Sequence, residues 1–523
     1  MKLNISQLLR QRILLVHAPK YVLYSMLISF GGLNFGLDTG CIGPITTMPQ
    51  FVDYFGSLSP TVHGLVVSSI LIPAAVASFF AGGLSDTLGR PRTVGSGLLV
   101  FGLGCALEAS AQNLGMLFAG RIITGLGEGV YMSAMSIYIC EIAPPKERGM
   151  LCSIQQFLTS LGICAGYFLC YGTVESGKSS TLAWRLPFAI QSFLALTFSV
   201  VAFRTLPQSP RWLEMKGRRA EAESVWNELG ITSAERERSQ QDTDVASLSE
   251  ALVTSHVPSI QPPQRIKVNP LAIFHPSVLS RTLLGAALMT FQQLSGIDGV
   301  LYYAPLLFQA AGLSSSTSSF LASGLSALLM LLITIPAFLY ADKWGRRTSV
   351  LSGGIIISTT MLLIGTLYAA GAVHGDHGVG RWAVIVLIYI FALAFSATWA
   401  VSVRVYSSEI QPVHTRAPAT SFAQAMNWLT NWTVAFITPI LLSEATYSIY
   451  FLFGGCTVLA VLLSAFAMPE TKGRSLEDID LEFERRRVHK VLNVTGVTRR
   501  LARRRRQVEE NEIELMPVSA GSM

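Results

Sequence analysis

Asp38 stands in an apolar stretch, flanked by Gly36 and Gly40, and Arg121 and Glu128 stand seven residues apart in another. Seven residues are nearly two helical turns, so Arg121 and Glu128 share a helix face. A carboxylate kept from water near a cation can change protonation when its surroundings open, because burial and the partner move its pKa in opposite directions. A second group of residues is built mainly from amides. Ser153, Gln156 and Ser160 follow one another at i, i+3 and i+7; Gln424, Asn427 and Asn431 repeat that spacing, with Trp428 beside them. Each set makes one polar stripe on a helix. Gln292 and Gln293 precede Asp298, whose neighbours Gly296 and Gly299 permit local unwinding. Amides both donate and accept hydrogen bonds, which suits a polyhydroxylated ring. The competing use of such residues is bonding between helices, about 0.6 kcal/mol each.

All of these residues sit inside apolar runs. The chain has 523 residues, 50% hydrophobic and only 14% charged, with mean hydropathy +0.46. A soluble domain carries about 25% charge, and a soluble chain this apolar would expose large sticky patches. A soluble enzyme, a nucleic-acid binder and a disordered scaffold are thereby disfavoured. The net charge of +7 resides in short loops and tails. Apolar runs recur at about 21–45, 61–83, 93–111, 114–139, 150–173 and 185–205, then at 280–310, 317–340, 348–370, 382–406, 417–442 and 447–467. Each is long enough to cross a bilayer as a helix, the form that keeps backbone groups bonded internally. The reading is an all-α membrane protein of twelve spans. Residues 1–20 form an N-terminal segment, 21–205 and 280–467 two six-helix bundles, 206–279 a helical linker and 468–523 a tail. Arg90, Arg92, Lys146, Arg148, Lys343, Arg346, Arg347 and Arg416 fall in loops on one side. The positive-inside rule places that side, the linker and both termini in the cytoplasm.

The halves repeat. Asp86 to Arg90 follows span 2 and Asp342 to Arg346 follows span 8, both reading D-x-x-G-R; Glu141 with Arg148 and Glu409 with Arg416 follow spans 4 and 10, both E-x6-R. Motifs in register six spans apart indicate a duplication, the construction of many secondary transporters that bind at the midplane and open alternately. With GGLNFGLDTG in span 1, GRIITGLGEG in span 4, PQSPRW after span 6, QQLSGIDGVLYYAP in span 7 and PETKGRSLEDI after span 12, the chain resembles the sugar porters of the major facilitator superfamily over about residues 21–485. The resemblance implies the major facilitator fold and no covalent chemistry or cofactor. It implies that Asp86, Arg90, Glu141, Arg148, Asp342, Arg346, Glu409 and Arg416 tie the halves together when the cytoplasmic side is closed; solvated anchoring charges are the plainer reading. It matches Gln156, Gln292, Gln293, Asp298, Asn427 and Trp428 to sugar-lining positions, with Tyr302 and Tyr303 nearby. It matches Asp38 and Arg121 to the acid–arginine pair of proton-coupled members, against a static pair. Glu128 is unusual at its position, and either a second proton site or a fixed partner of Arg121 fits it.

Departures from the family pattern carry information. Gln208 replaces a common Glu, so one gating pair loses a charge. Asp298 replaces a common Asn. Span 10 reads Thr398-Trp399-Ala400-Val401-Ser402-Val403-Arg404, without the usual prolines, and Arg404 occupies a tryptophan position. Three readings of Arg404 compete. It could snorkel to the interface, since Glu409 is about 7.5 Å along the helix. It could pair permanently with Asp298. It could offer its fork to a substrate carboxylate, which makes a hexuronate such as galacturonate the first substrate choice and a neutral hexose or pentose a close second.

The expected function is import of a monosaccharide or sugar acid with protons across the plasma membrane. A facilitator, and a sugar sensor of the same fold, are the alternatives. The seven cysteines read as buried apolar residues rather than metal ligands. His374, Asp376 and His377 read as a solvated loop, and the tail's basic runs as contacts for anionic lipid.

Overall fold

The computed structural model describes residues 19–144, 147–176, 180–231, 273–276, 278–313, 316–373, 378–412, 415–472, 479, 482, 483 and 485. Lys146, Lys178, His374, Asp376, His377 and the tail's basic runs beyond Arg485 lie outside these, as do the side chains of Arg148, Asp342, Lys343 and Arg416. Residues up to Glu470 make one compact unit; the second begins at Thr471 and holds few described residues.

The described residues are helical, without a strand. The first half comprises α1 (Lys20–Thr47), a short α2 (Pro49–Phe55), α3 (Pro60–Ser68) continued by α4 (Leu71–Leu88), α5 (Arg90–Ala109), α6 (Leu114–Ile142), α7 (Arg148–Ser176) and α8 (Leu182–Thr205). Two linker helices follow, α9 (Pro210–Met215) and α10 (Arg219–Leu229). The second half comprises α11 (Leu279–Leu294), α12 (Ile297–Ala310), α13 (Ser316–Trp344), α14 (Arg346–Ala369), α15 (Val379–Ala394), a π turn (Phe395–Trp399), α16 (Ala400–Glu409), α17 (Arg416–Glu444) and α18 (Thr446–Ala467). Taking α3–α4, α11–α12 and α15–α16 as single spans gives twelve, each within a few residues of its apolar run. Eight are long and apolar enough to cross a membrane by composition alone. The four that fall short are α1, α5, α11–α12 and α17, which carry Asp38, Glu108, the paired glutamines and Asn427.

The linker helices mark one end of the molecule. Lys20 and Tyr24 at the start of α1 reach Glu228 of α10 at 3.2 and 2.7 Å. The Tyr24 hydroxyl, helped by Lys20, holds the Glu228 carboxyl below the usual carboxylate range. Trp212 Nε1 of α9 donates to the Asp86 carbonyl at 3.0 Å.

Glycine spacing fixes α1. Gly32, Gly36 and Gly40 lie four apart on one face, and that face meets α7 backbone to backbone: a Cβ on Gly36 would sit 2.1 Å from the Thr159 carbonyl oxygen. Small residues at this period let membrane helices approach closely. Asp38, between two of these glycines, is thereby held at a set depth.

At the end away from the linker helices the halves close on each other. Gly43 of α1 lies against the Tyr302 backbone of α12, where a Cβ would fall 1.7 Å from the carbonyl oxygen; Gly64 of α3 meets Phe436 of α17 similarly, at 2.5 Å. The Tyr167 hydroxyl donates to the Leu301 carbonyl. His63 stands edge-on to Tyr303 at 5.3 Å and shares a 2.8 Å hydrogen bond with Thr46. These cross-half contacts all lie at the far end, so the far end is shut in this conformation. Gly43→Val should therefore hinder this closure, since about 1.4 kcal/mol shifts a two-state balance tenfold. Labelled-sugar uptake should fall about tenfold or more while surface expression and sugar binding persist. Normal uptake would mean that the two backbones need not meet.

Candidate functional site

In the first half, α1 and α6 bring Asp38 and Arg121 together. Arg121 Nη1 donates to Asp38 Oδ1 at 2.6 Å, and both residues are under 5% exposed. A guanidinium at that depth needs a counter-ion, because removing one partner of a buried pair strands a charge. A third residue, absent from the sequence reading, joins them. Glu108 of α5 is fully buried, accepts from the Thr124 hydroxyl at 2.6 Å, and places Oε2 3.7 Å from Arg121 Nη1. Its available signal was a glutamate inside the apolar run 93–111. Glu128 is buried on the same helix as Arg121 and does not pair with it; neither of its carboxylate oxygens has a hydrogen-bond partner. The reading of Glu128 as a fixed partner of Arg121 is thus corrected, for Glu108 takes that place beside Asp38.

The second half gathers the amides. Gln292 Nε2 donates to the Trp399 carbonyl at 2.8 Å. Asn427 Nδ2 donates to the Met289 carbonyl at 3.0 Å and to Gln292 Oε1 at 3.4 Å, while Asn427 Oδ1 accepts from Gln293 Nε2 at 3.2 Å. The amides therefore bond between helices here, yet two acceptors are left over. Gln293 Oε1 and Asn431 Oδ1 are buried without partners, and hydroxyl donors of a bound ring would satisfy them. Trp428 is buried edge-on to Phe35 of the first half at 6.0 Å, and Gln156 is half-buried on α7. Tyr302 is buried at the closed far end.

Two backbone breaks position this group. Gly296 at φ +87° separates α11 from α12 and sets Asp298 in the first turn of α12. The π turn lies where the sequence lacks the expected prolines. A π turn loosens the helical ladder and is frequent at functional sites; here it holds Trp399, whose carbonyl serves Gln292 and whose Nε1 donates to the Val350 carbonyl at 2.9 Å.

Asp298 is half-buried and Arg404 exposed, and each acts electrostatically on the other. They form no ion pair with each other among the described residues. The permanent-pair reading of Arg404 is not the arrangement of this conformation.

At the linker end the charged pairs close within each half. Arg90 binds Glu141 at 2.8 Å and Asp86 at 3.0 Å; Arg346 binds Glu409 at 3.2 Å. Each of these described pairs lies within one half. Glu470, also unassigned from sequence, accepts from the backbone N–H groups of Arg346, Arg347 and Thr348 at 2.8, 3.2 and 3.4 Å, capping α14. Gln208 takes the corresponding place in the first half, over Gly89 at the start of α5, with Oε1 buried and unbonded.

The family model described as "Sugar (and other) transporter" matches residues 24–483. The chain belongs to the sugar-transporter family. Among its relatives, the galactose-proton symporter of Escherichia coli is 30% identical over 457 residues, 87% of this chain and 92% of that one. The probable quinate permease of Aspergillus niger is 29% identical over 491 residues, 90% and 89% of the two chains. In structure, the xylose transporter XylE from E. coli in a partially occluded inward open conformation matches with TM-score 0.69 at 25% identity, covering 87% of this chain and all of that one. The twelve helices are thus the major facilitator fold of a sugar-transporter protein, a carrier rather than an enzyme.

Glu470 and Gln208 make an uneven pair of caps. An anion at a helix N-terminus is worth about 0.3–1 kcal/mol. Gln208→Glu should raise the melting temperature of the purified protein and Glu470→Gln should lower it. No change in either variant would remove the capping role.

Proposed function

We propose that this chain imports a monosaccharide or sugar acid together with protons, by alternating access, with the linker end in the cytoplasm and the plasma membrane as its site. The observation that carries the coupling is the buried Asp38–Arg121 pair at 2.6 Å. Protonating Asp38 weakens that pair, and re-forming it expels the proton. A proton entering down the membrane potential gains about 2.3 kcal/mol per 100 mV. The galactose-proton symporter named above supports coupling by likeness. The cytoplasmic placement rests on the arginine and lysine bias of the loops.

For the substrate, the supporting observation is Arg404, exposed on α16 and in no salt bridge among the described residues, with Asp298 of α12 acting on it electrostatically. A guanidinium fork matches a carboxylate, so a hexuronate such as galacturonate is the favoured cargo. The likeness to a probable quinate permease points the same way, since quinate is a polyhydroxylated acid. A neutral hexose or pentose is the second reading, supported by the neutral balance that Asp298 and Arg404 make together.

Two measurements test this. Asp38→Asn should abolish accumulation and the stimulation by low external pH while exchange survives; wild-type uptake indifferent to pH and to an uncoupler would refute coupling. Arg404→Gln should abolish galacturonate uptake and spare any hexose uptake. Preference of the wild type for glucose over galacturonate would overturn the acid reading.

A further inference from the structure

Glu128 is the carboxylate of the buried cluster that has neither a hydrogen bond nor a salt bridge among the described residues. It is 1% exposed, and both oxygens lack a hydrogen-bond partner. The ionisable groups that act on it or border it come from every side: Asp38 of α1, Glu108 and Cys105 of α5, Arg121 and Tyr131 of its own helix, and Tyr302 of α12 across the interface between halves. Only Arg121 is cationic, and Asp38 and Glu108 already share it. With all three carboxylates ionised, the group would carry a net charge of about −2 in residues almost closed to water, which is prohibitively costly without further partners. The carboxylate with no donor is the one that must be neutral.

We infer that Glu128 is a second proton-binding site of this carrier, so that two protons enter with each sugar. This rests on the proton-coupled reading above. Each site gains one proton at a carboxylate to form a carboxylic acid outside and loses it inside, with no other bond changed. α6 runs from the far end toward the linker end, and Glu128 lies about 10 Å beyond Arg121 along it. In the present conformation Asp38 is paired with Arg121, whereas Glu128 is 1% exposed with both oxygens unbonded, so Glu128 is the site that holds a proton here.

The ratio of proton to sugar flux decides the matter. The full chain in proteoliposomes, with an internal pH dye and labelled D-glucose or D-galacturonate, whichever it takes up, should give two protons per sugar. At clamped zero potential and one pH unit, accumulation should approach about 100-fold, since one unit is tenfold per proton. Glu128→Gln should lower the ratio to one and accumulation to about tenfold, with sugar counterflow retained. A wild-type ratio of one, or a ratio of two that survives Glu128→Gln, overturns the second site and leaves coupling intact. A ratio of zero overturns coupling itself. The wild-type ratio does not depend on whether the variant folds.

Discussion

A cation buried in the middle of a membrane protein must be answered by an anion, and much of the first half is arranged around that demand. Arg121 is fully buried, and its partner Asp38 can reach it only if α1 is pressed to a fixed depth. The glycine seam between α1 and α7 supplies that depth, since any side chain at Gly36 would push the helices apart. Glu108, braced by Thr124, approaches the same guanidinium from α5. Three helices are thus registered by one charge. A register held by a titratable pair is a register that protons can loosen, and this links the packing of the half to its function.

The second half meets a different constraint. Its polar groups are neutral amides, which tolerate burial when they bond one another. Gln292, Gln293 and Asn427 do so, and the two unpaired acceptors show where the network is incomplete. A network complete in the empty state would gain little from a ligand. One that lacks donors rewards a molecule that brings hydroxyls. The breaks at Gly296 and at the π turn let α11 and α15–α16 turn their polar groups inward without abandoning the bundle.

Much of this was legible in the sequence, for stated reasons. Span limits follow from hydropathy because the bilayer has one thickness, and the observed helices agree within a few residues. Asp38, Arg121 and the amide stripes stood out because polar side chains in apolar runs are costly. What stayed hidden depends on contacts between distant segments. Glu108 is a single glutamate in an apolar run, and only the packing of α5 against α6 brings it to Arg121. Glu470 belongs to a loop motif, and only the fold puts it over the first turn of α14. The π turn shifts one hydrogen-bond register and leaves no mark in composition. Arg404 allowed three readings because the sequence gives its depth and not its surroundings.

The bare backbone seam at the far end has an electrical consequence. Gly43 against Tyr302 and Gly64 against Phe436 bring backbone against backbone in the seal, and His63, Thr46 and Tyr303 pack beside them. In any conformation whose linker end opens to solution, such a plug is a thin insulator in series with a conducting vestibule. Nearly all of the membrane voltage then falls across the plug. Charges deeper in the molecule, Asp38 and Arg121 among them, sit close to the potential of the open side. Voltage therefore acts chiefly on the step that breaks this seal and carries the emptied sites back outward, and that return stroke becomes the voltage-sensing part of the cycle.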